Sequence, residues 1–388
     1  MQSKKIVWVS SLVLDVHLHK TSRLEMLQAL AERGHKVSLI ASYSSRRDSI
    51  GAAKVQTVLI PLRQVPMISA GAYVLLLFLY LPLFILRVKP DFVVIEPNPT
   101  VLGFYPTILF PKSIRPKTVL DIRSTPVDIV GVGGFLKTMF FSISLRIARK
   151  SFEGITIITS LMKKEVCERY DVDPKSVGIW TSGVSTTTFR AENWDKTKIR
   201  KSLGLEGKFI VFYDGVFGRK RGIAETIKAV GLLKARCPDL VLFLLGNDEI
   251  NAKRMIRELG IQNMVIVHGR VAYAEVPKYV SMCDVGIVPL PNSSDWRYQC
   301  PLNLLEYLSM KKVVIATDIP ANRVVLGECG CGIYASSADP REIAKSIVYA
   351  YENRKMLRKW GDCGRIIVEE RYSWMKVAEN FEAYLLQL

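Results

Sequence analysis

Two short stretches carry the residue types that bind phosphate and hydroxyl groups. Residues 298–317 read Tyr-Gln-Cys-Pro-Leu-Asn-Leu-Leu-Glu-Tyr-Leu-Ser-Met-Lys-Lys-Val-Val-Ile-Ala-Thr. Pro301 suits the first position of a helix, because its fixed φ matches the helical turn and its missing N–H would be unpaired there anyway. That predicts outward-facing amide donors at Leu302, Asn303 and Leu304, which is an anion site at a helix N-terminus. One turn on, the Glu306 carboxylate can accept hydrogen bonds from sugar or ribose hydroxyls. Leu304, Leu305 and Leu308 give the helix an apolar face, and 313–316 reads as a buried parallel strand. The second stretch is Arg219-Lys220-Arg221 before Gly222. A charge run at a helix start is commonly just a solvated face. Here it follows a predicted strand, 209–213, and Asp214-Gly215, so it shares the C-terminal strand edge with the Pro301 helix, where two or three cations would neutralise a diphosphate.

The elements that must position these residues alternate regularly. Residues 6–10 form a short apolar run suited to a buried strand, a polar loop follows over 11–21, and Ser22-Arg23-Leu24-Glu25 has the spacing of a capping box opening a helix with Leu24, Leu27, Leu30 and Ala31 inside. Gly34 stops it and 35–42 returns as a second strand. Further strands are predicted at 55–60, 92–96, 118–121 and 155–159, which makes a doubly wound α/β domain. A second alternation supplies strands at 208–213, 241–245, 265–268, 285–289 and 313–317, with helices at 223–235, 252–259 and 276–282 between them. The chain is thus expected to hold two domains, 1–195 and 196–372, joined by a polar linker ending near Lys201 and facing each other across a cleft. The Gly-x-Gly-x-x-Gly dinucleotide fingerprint is absent after the first strand, where Ser10 to Asp15 stand instead, and this disfavours a nicotinamide or flavin dehydrogenase. The cluster Gly131-Val132-Gly133-Gly134 follows no strand and reads as a loop between Asp128 and a helix starting at Phe135.

With 388 residues, 49% of them hydrophobic and 23% charged, the chain can build the cores these domains need. The formal charge of +18 calls for an anionic partner. Nucleic acid is disfavoured, because no aromatic-interleaved basic cluster or zinc-finger spacing appears. An anionic membrane surface and phosphorylated small molecules remain. The seven cysteines have no zinc-site spacing, and Cys329-Gly330-Cys331 reads as small residues in a turn, so reduced thiols in a cytosolic compartment are expected. The N-terminus lacks the layout of a signal peptide. Residues 68–86 carry no charge over about the length that spans a bilayer, yet they lie between two strands of one sheet and contain Pro82. A span there would divide the sheet, so a helix partly in the core and partly dipped into a membrane interface is favoured over plain core burial or a true span. In 135–150, apolar Phe140, Phe141, Ile143, Leu145 and Ile147 alternate with Lys137, Arg146, Arg149 and Lys150. Two readings stand for it: a surface helix drawn to anionic lipid, and an ordinary amphipathic helix with a solvated basic face.

Taken in order, the motifs resemble those of the retaining nucleotide-sugar glycosyltransferases of the GT-B fold, the group called family 4. The matching pieces are Ser182-Gly183-Val184, Arg221-Gly222-Ile223 with Ala229, Val267-His268-Gly269-Arg270-Val271, Val276-Pro277 with Tyr279, Cys283 to Pro289, Cys300 to Tyr307, and Tyr372-Ser373-Trp374. They cover nearly the whole second domain closely and the first loosely. The resemblance implies two Rossmann-like doubly wound parallel-sheet domains, with a terminal helix over 373–388 crossing back to pack on the first as part of the hinge. It implies that Arg221, assisted by Lys220 or Arg219 in the loop from Gly215 to Gly222, contacts the donor diphosphate, the position of the family's usual Arg being Val216 here. Gly269 and Arg270 would border the base, Pro301, Leu302, Asn303 and Leu304 would cradle phosphate, and Glu306 would hold the ribose hydroxyls. A helix-start carboxylate that merely favours the macrodipole is the bland alternative for Glu306.

The departures are specific. Where many members carry a second Glu that contacts the transferred sugar, this chain has Tyr298; where many place a histidine after a first-domain strand, it has Asp121-Ile122-Arg123. Asp121 and Arg123 are therefore candidates for acceptor or sugar contacts, with a strand-end salt bridge as the alternative. The usual glycine pair after the first strand is replaced around Leu14-Asp15. The expected activity is transfer of a hexose-type unit, with retention, from a UDP- or GDP-linked sugar to a lipid or lipid-linked saccharide acceptor at the cytoplasmic face of a membrane. No cofactor beyond that donor substrate and no metal is expected, since the cations and the helix N-terminus can stabilise the leaving diphosphate. The rivals are a nucleotide-sugar 2-epimerase or phosphorylase of the same fold, and a degenerate, membrane-associated partner subunit. An epimerase would place acid–base carboxylates and histidines in the cleft, and this chain has only four histidines: His35 and His268 in strands, His17 and His19 in one loop.

Overall fold

The computed structural model describes residues 2–13, 20–43, 54–61, 68–126, 131–328 and 330–388. Leu14, Asp15, His17, His19, Asp128 and Cys329 lie outside them. The chain divides into two compact units, Met1–Thr181 with Trp374–Leu388, and Ser182–Ser373.

In the first unit the elements are β1 (Lys5–Val13), α1 (Lys20–Glu32), β2 (Lys36–Tyr43), β3 (Gln56–Pro61), α2 (Ile68–Val88), β4 (Phe92–Ile95), α3 (Thr100–Ile108), β5 (Lys117–Ile122), α4 (Gly131–Ser151), β6 (Gly154–Ile157), α5 (Ser160–Tyr170) and β7 (Val177–Ile179). Its strands pair in the order β3-β2-β1-β4-β5-β6-β7, all parallel. Ile6 to Val9, Val93 to Ile95 and Val119-Leu120 are buried, as near-continuous apolar strands covered on both faces should be.

The second unit contains α6 (Lys196–Ser202), β8 (Phe209–Phe217), α7 (Ile223–Leu232), β9 (Leu240–Asp248), α8 (Ala252–Glu258), β10 (Val265–His268), α9 (Val276–Met282), β11 (Val285–Val288), α10 (Leu302–Ser309), β12 (Val313–Thr317), α11 (Pro320–Leu326), β13 (Gly332–Ala335), α12 (Pro340–Glu352) and α13 (Leu357–Ile367). Its strand order is β10-β9-β8-β11-β12-β13, again all parallel. The closing helix α14 (Trp374–Gln387) belongs to the first unit. Phe381 packs 5.7 Å from both Trp8 and Trp180. The Tyr384 hydroxyl donates to the Ser176 carbonyl at 2.6 Å, and a side chain at Gly178 would come within 2.5 Å of the Tyr384 ring. Glycine in β7 thus lets α14 lie against the strand.

Several local expectations shift. The helix α1 starts at Lys20, so Ser22 lies inside its first turn and not at its cap, while Ser11 to Val13 extend β1. The Gly131 to Gly134 cluster forms the first turn of α4 and not a loop. The unit boundary falls at Thr181/Ser182, and residues 182–195 are anchored to the second unit, not a free linker. Ser182 Oγ donates to the Cys300 carbonyl at 2.9 Å, and the Phe189 carbonyl accepts from Ser309 Oγ at 2.8 Å and Arg365 Nη1 at 2.9 Å. These backbone partners are remote in sequence, so polarity alone made the segment read as a linker.

Candidate donor site in the second unit

The site grows out of the C-terminal ends of the strands. β8 and β9 stay paired past the sheet, with Gly215 opposite Gly246. Both have positive φ, 133° and 147°, and a Cβ on Gly246 would sit 1.8 Å from the Gly215 carbonyl oxygen, so only glycine permits the pairing. The ribbon delivers the turn from Gly218 to Gly222. Gly222, at φ 72°, presses on Pro289 just past β11, since a Cβ there would lie 1.9 Å from the Pro289 carbonyl oxygen.

The three cations of this turn have different fates. Lys220 is ion-paired with Asp295 at 3.3 Å, and its carbonyl accepts from Trp296 Nε1 at 2.6 Å. Arg219 is exposed. Arg221 is half-buried, its guanidinium 4.7 Å from the centre of the Trp296 ring, and it interacts with the Tyr213 hydroxyl. Burial pushes that hydroxyl up to about 12, with Arg221 opposing the shift. Among the described residues no carboxylate pairs with Arg219 or Arg221. Arg221 is therefore a held cation with spare charge, which suits a phosphate ligand. Lys220 contributes less than the bare triplet implied, because Asp295 already compensates it.

On the facing side, Pro301 is the N-cap of α10 with extended backbone (φ −64°, ψ 127°), so the helix begins at Leu302 and not at Pro301. Asn303 Oδ1 accepts from the Leu304 amide at 3.0 Å, and Asn303 Nδ2 donates to the Asp214 carbonyl at 3.3 Å. The Leu304 amide is thus taken, and the amides of Leu302 and Asn303 are the ones left without an acceptor among the described residues. Glu306 is buried and accepts from the Tyr273 hydroxyl at 2.9 Å. Tyr273 follows the exposed Gly269 and Arg270 at the end of β10, so the loop expected to border a base and the carboxylate expected to hold ribose meet through one hydrogen bond. Tyr298 is half-buried in the turn that carries Asp295 and Trp296.

Beneath these groups lies a polar pair that the sequence reading missed. The Asp214 amide donates to the Tyr307 hydroxyl at 2.9 Å. Asp214 Oδ1 is sealed from solvent without a partner among the described residues. Burial lifts the Asp214 carboxyl to about 6, while the Tyr307 hydroxyl and the Asp214 amide pull the other way. Burial beside Asp214 also holds the Tyr307 hydroxyl well above its ordinary range. Gly286 makes the pair fit, since a side chain there would meet the Tyr307 ring at 2.1 Å.

Asp121 and Arg123 belong to the first unit and sit apart in the sequence from all of this. Asp121 is fully buried, and its Oδ1 accepts from Trp180 Nε1 at 2.8 Å and Thr156 Oγ1 at 2.9 Å. Burial raises its pKa, with Arg123 and Arg23 opposing. The Arg123 guanidinium lies 3.5 Å from the centre of the Trp180 ring and donates to the Trp180 carbonyl at 2.7 Å. On the same strand edge, Arg23 pairs with Glu96, which also accepts from Ser10 Oγ at 2.7 Å and Asn98 Nδ2 at 2.9 Å. Of this network the sequence offered only the charge types at a strand end and inside a helix-start motif.

Residues 195–366 match the model of the family described as glycosyl transferases group 1. This second unit belongs to the group 1 glycosyltransferases. The chain is 28% identical, over 189 residues, to TuaH of Bacillus subtilis (strain 168), a protein named for a glycosyltransferase of teichuronic acid biosynthesis; the match covers 48% of this chain and 45% of TuaH. The chain spans about half the length of the first curated relatives it matches. The whole chain has the GT-B fold. It superposes on Anabaena Alr3699/HepE in complex with UDP and glucose with a TM-score of 0.76 at 13% identity, covering 99% of this chain and 100% of that one. On WaaG, a glycosyltransferase involved in lipopolysaccharide biosynthesis, it superposes with a TM-score of 0.70 at 14% identity, covering 98% and 99%.

Proposed function

We propose that the protein transfers a hexose-type unit, with retention at the anomeric carbon, from a UDP- or GDP-linked sugar to a lipid or lipid-linked saccharide acceptor at the cytoplasmic face of a membrane. The observation that carries the donor half is Arg221, half-buried, stacked on Trp296 and without a carboxylate partner among the described residues, on the same strand edge as the open amides of α10. Bond cleavage builds negative charge on the leaving diphosphate, and a fixed guanidinium together with helix amides stabilises that charge without reorganising. This chemistry does not require a metal. Glu306 orients the nucleotide through the ribose, its own geometry fixed by Tyr273. HepE is named with UDP and glucose, which makes UDP-glucose the first donor to test.

The acceptor half rests on α2. Leu75, Leu79 and Leu83 are 61%, 62% and 67% exposed, while Tyr73, Leu77, Leu81 and Ile85 form its buried stripe. The helix joins β3 to β4 of one sheet, so it lies along the unit, and its bare apolar face suits a bilayer interface. The helix α4 supports this less. Phe141 and Leu145 point inward and its four basic residues outward, which is the ordinary amphipathic pattern, with Val132 and Phe135 as its exposed apolar residues.

The test is thermal shift and slow donor hydrolysis across a panel of nucleotide sugars. One nucleoside diphosphate should stabilise the protein, its sugar should be released slowly, and Glu306→Ala and Arg221→Ala should each abolish both responses. No response to any donor would sink the transferase reading. Tyr298, in place of a sugar-contacting Glu, favours the second reading, a degenerate partner subunit; that reading predicts nucleotide binding without any sugar release.

A further inference from the structure

The edge of the first unit opposite the strand C-termini gathers cations. Lys5 and Lys36 are register partners at the strand starts, as are Phe92 and Lys117. Beside them is a cavity of about 430 Å³ whose lining includes Lys4, Leu86, Lys89, Ile114, Arg115 and Lys117. Arg115 is engaged by Glu153 at 3.1 Å, and the Asp91 carboxylate on the cavity wall accepts from the Lys5 amide at 2.7 Å. Lys4, Lys89 and Lys117 have no carboxylate partner among the described residues. Lys89, in a left-handed conformation (φ 50°) just past the end of α2, is exposed. The cavity abuts the exposed apolar face of α2, because Leu86, close to half exposed, belongs to both.

We propose that this cavity binds the headgroup phosphate of an anionic phospholipid while the exposed face of α2 lies in the bilayer interface. The inference rests on the membrane reading above and adds a site to it. Aliphatic side chains along one helix face with cations gathered at its end match the acyl region and the phosphate layer of an anionic leaflet. The placement also has a geometric consequence. Tyr73, near the start of α2, donates to the Ser10 carbonyl at 2.7 Å, and Lys5 Nζ donates to the Val88 carbonyl at its end at 2.9 Å, so α2 runs back along β1 from its C-terminal to its N-terminal end. A phosphate pinned at the Lys89 end fixes which way round the helix lies. The exposed face running along α2 brings its Tyr73 end, and with it the Ser10–Arg23–Glu96 edge, toward the same membrane surface.

The test is co-sedimentation of the full chain with vesicles of phosphatidylcholine alone, and of phosphatidylcholine with about one third phosphatidylglycerol. Lys89→Gln with Lys117→Gln should lower partitioning into the anionic vesicles by roughly 25-fold, about fivefold per lysine near a charged surface, and leave neutral-vesicle binding unchanged. The control, Lys228→Gln with Lys253→Gln in the second unit, removes the same charge and should change it less than about twofold. Equal loss in both pairs would mean diffuse attraction only and overturn the site. Full competition by free inorganic phosphate would assign the cavity to a soluble anion and likewise overturn it. Leu79→Glu with Leu83→Glu examines the underlying reading separately and should abolish binding to both vesicle types. If the native chain binds neither, or that variant binds both as well as the parent, the membrane reading itself fails.

Discussion

Asp214→Asn should remove a pH dependence of stability that the buried carboxyl imposes on the second unit. The folded chain holds this proton up to about pH 6, against an ordinary value of 3.8, because burial disfavours the ionised form and Oδ1 has no donor among the described residues. The folded state therefore binds the proton more tightly than the unfolded state. The stability this contributes is complete below about pH 3.8, falls between there and about pH 6, and is lost above. The rise of about two pH units corresponds to about 3 kcal/mol, at roughly 1.36 kcal/mol per unit. An asparagine is neutral at every pH, so the variant should be more stable than the parent near neutrality, by about 3 kcal/mol less about 1 kcal/mol for burying its amide. The assay is urea unfolding from about pH 4 to about pH 7, followed on the transition that Gly222→Ala shifts, which marks the second unit. Over that window the parent should lose stability by up to about 1.4 kcal/mol per pH unit relative to the variant. Parallel profiles would refute the reasoning, because they would mean that the Asp214 proton is held no more tightly in the fold than out of it.

Three further perturbations examine separate parts of the structure. Gly222→Ala forces a Cβ to 1.9 Å from the Pro289 carbonyl oxygen at φ 72°, and should destabilise the second unit by more than about 2 kcal/mol, read as a lower urea midpoint. Trp296→Ala removes the ring under Arg221 and should weaken nucleoside diphosphate binding about fivefold by calorimetry, with Trp296→Phe largely restoring it; unchanged affinity in both would separate Arg221 from the ligand. Glu382→Ala leaves the Arg33 guanidinium, paired at 2.5 Å, without its carboxylate, and should cost about 3 kcal/mol, seen as earlier proteolysis of α14.

The strands other than β7 and β13, which were not among those expected, were legible because parallel strands covered on both faces are apolar runs. Val265 to His268 and Val313 to Thr317 fall where the periodicity put them. The helix α3 was not among the expected elements, and both Gly103 and Pro106 stand inside it. The fold uses Gly103 for contact, a Cβ there lying 2.7 Å from Leu77 Cβ. Pro301 shows the limit of a positional rule: the same fixed φ serves an N-cap as well as a first helical residue, and only ψ, 127° here, separates them.

At the donor site the sequence supplied the two halves, the cationic turn and the α10 start, but not what fastens them. The fastenings are Trp296 under Arg221, Asp295 on Lys220, and Asn303 on the Asp214 carbonyl. Each joins residues at least 75 positions apart, or uses a backbone atom that every residue possesses, so no local pattern announces it. The arrangement also reassigns the charge. A triplet counted as three cations becomes one neutralised lysine that anchors the loop, one exposed arginine, and one arginine held by an aromatic ring. If a diphosphate binds here, the energetic weight falls on Arg221. Neutralising Lys220 should loosen the Asp295–Trp296 turn and weaken binding through the position of Arg221, so Lys220→Gln should cause no further loss in a Trp296→Ala background.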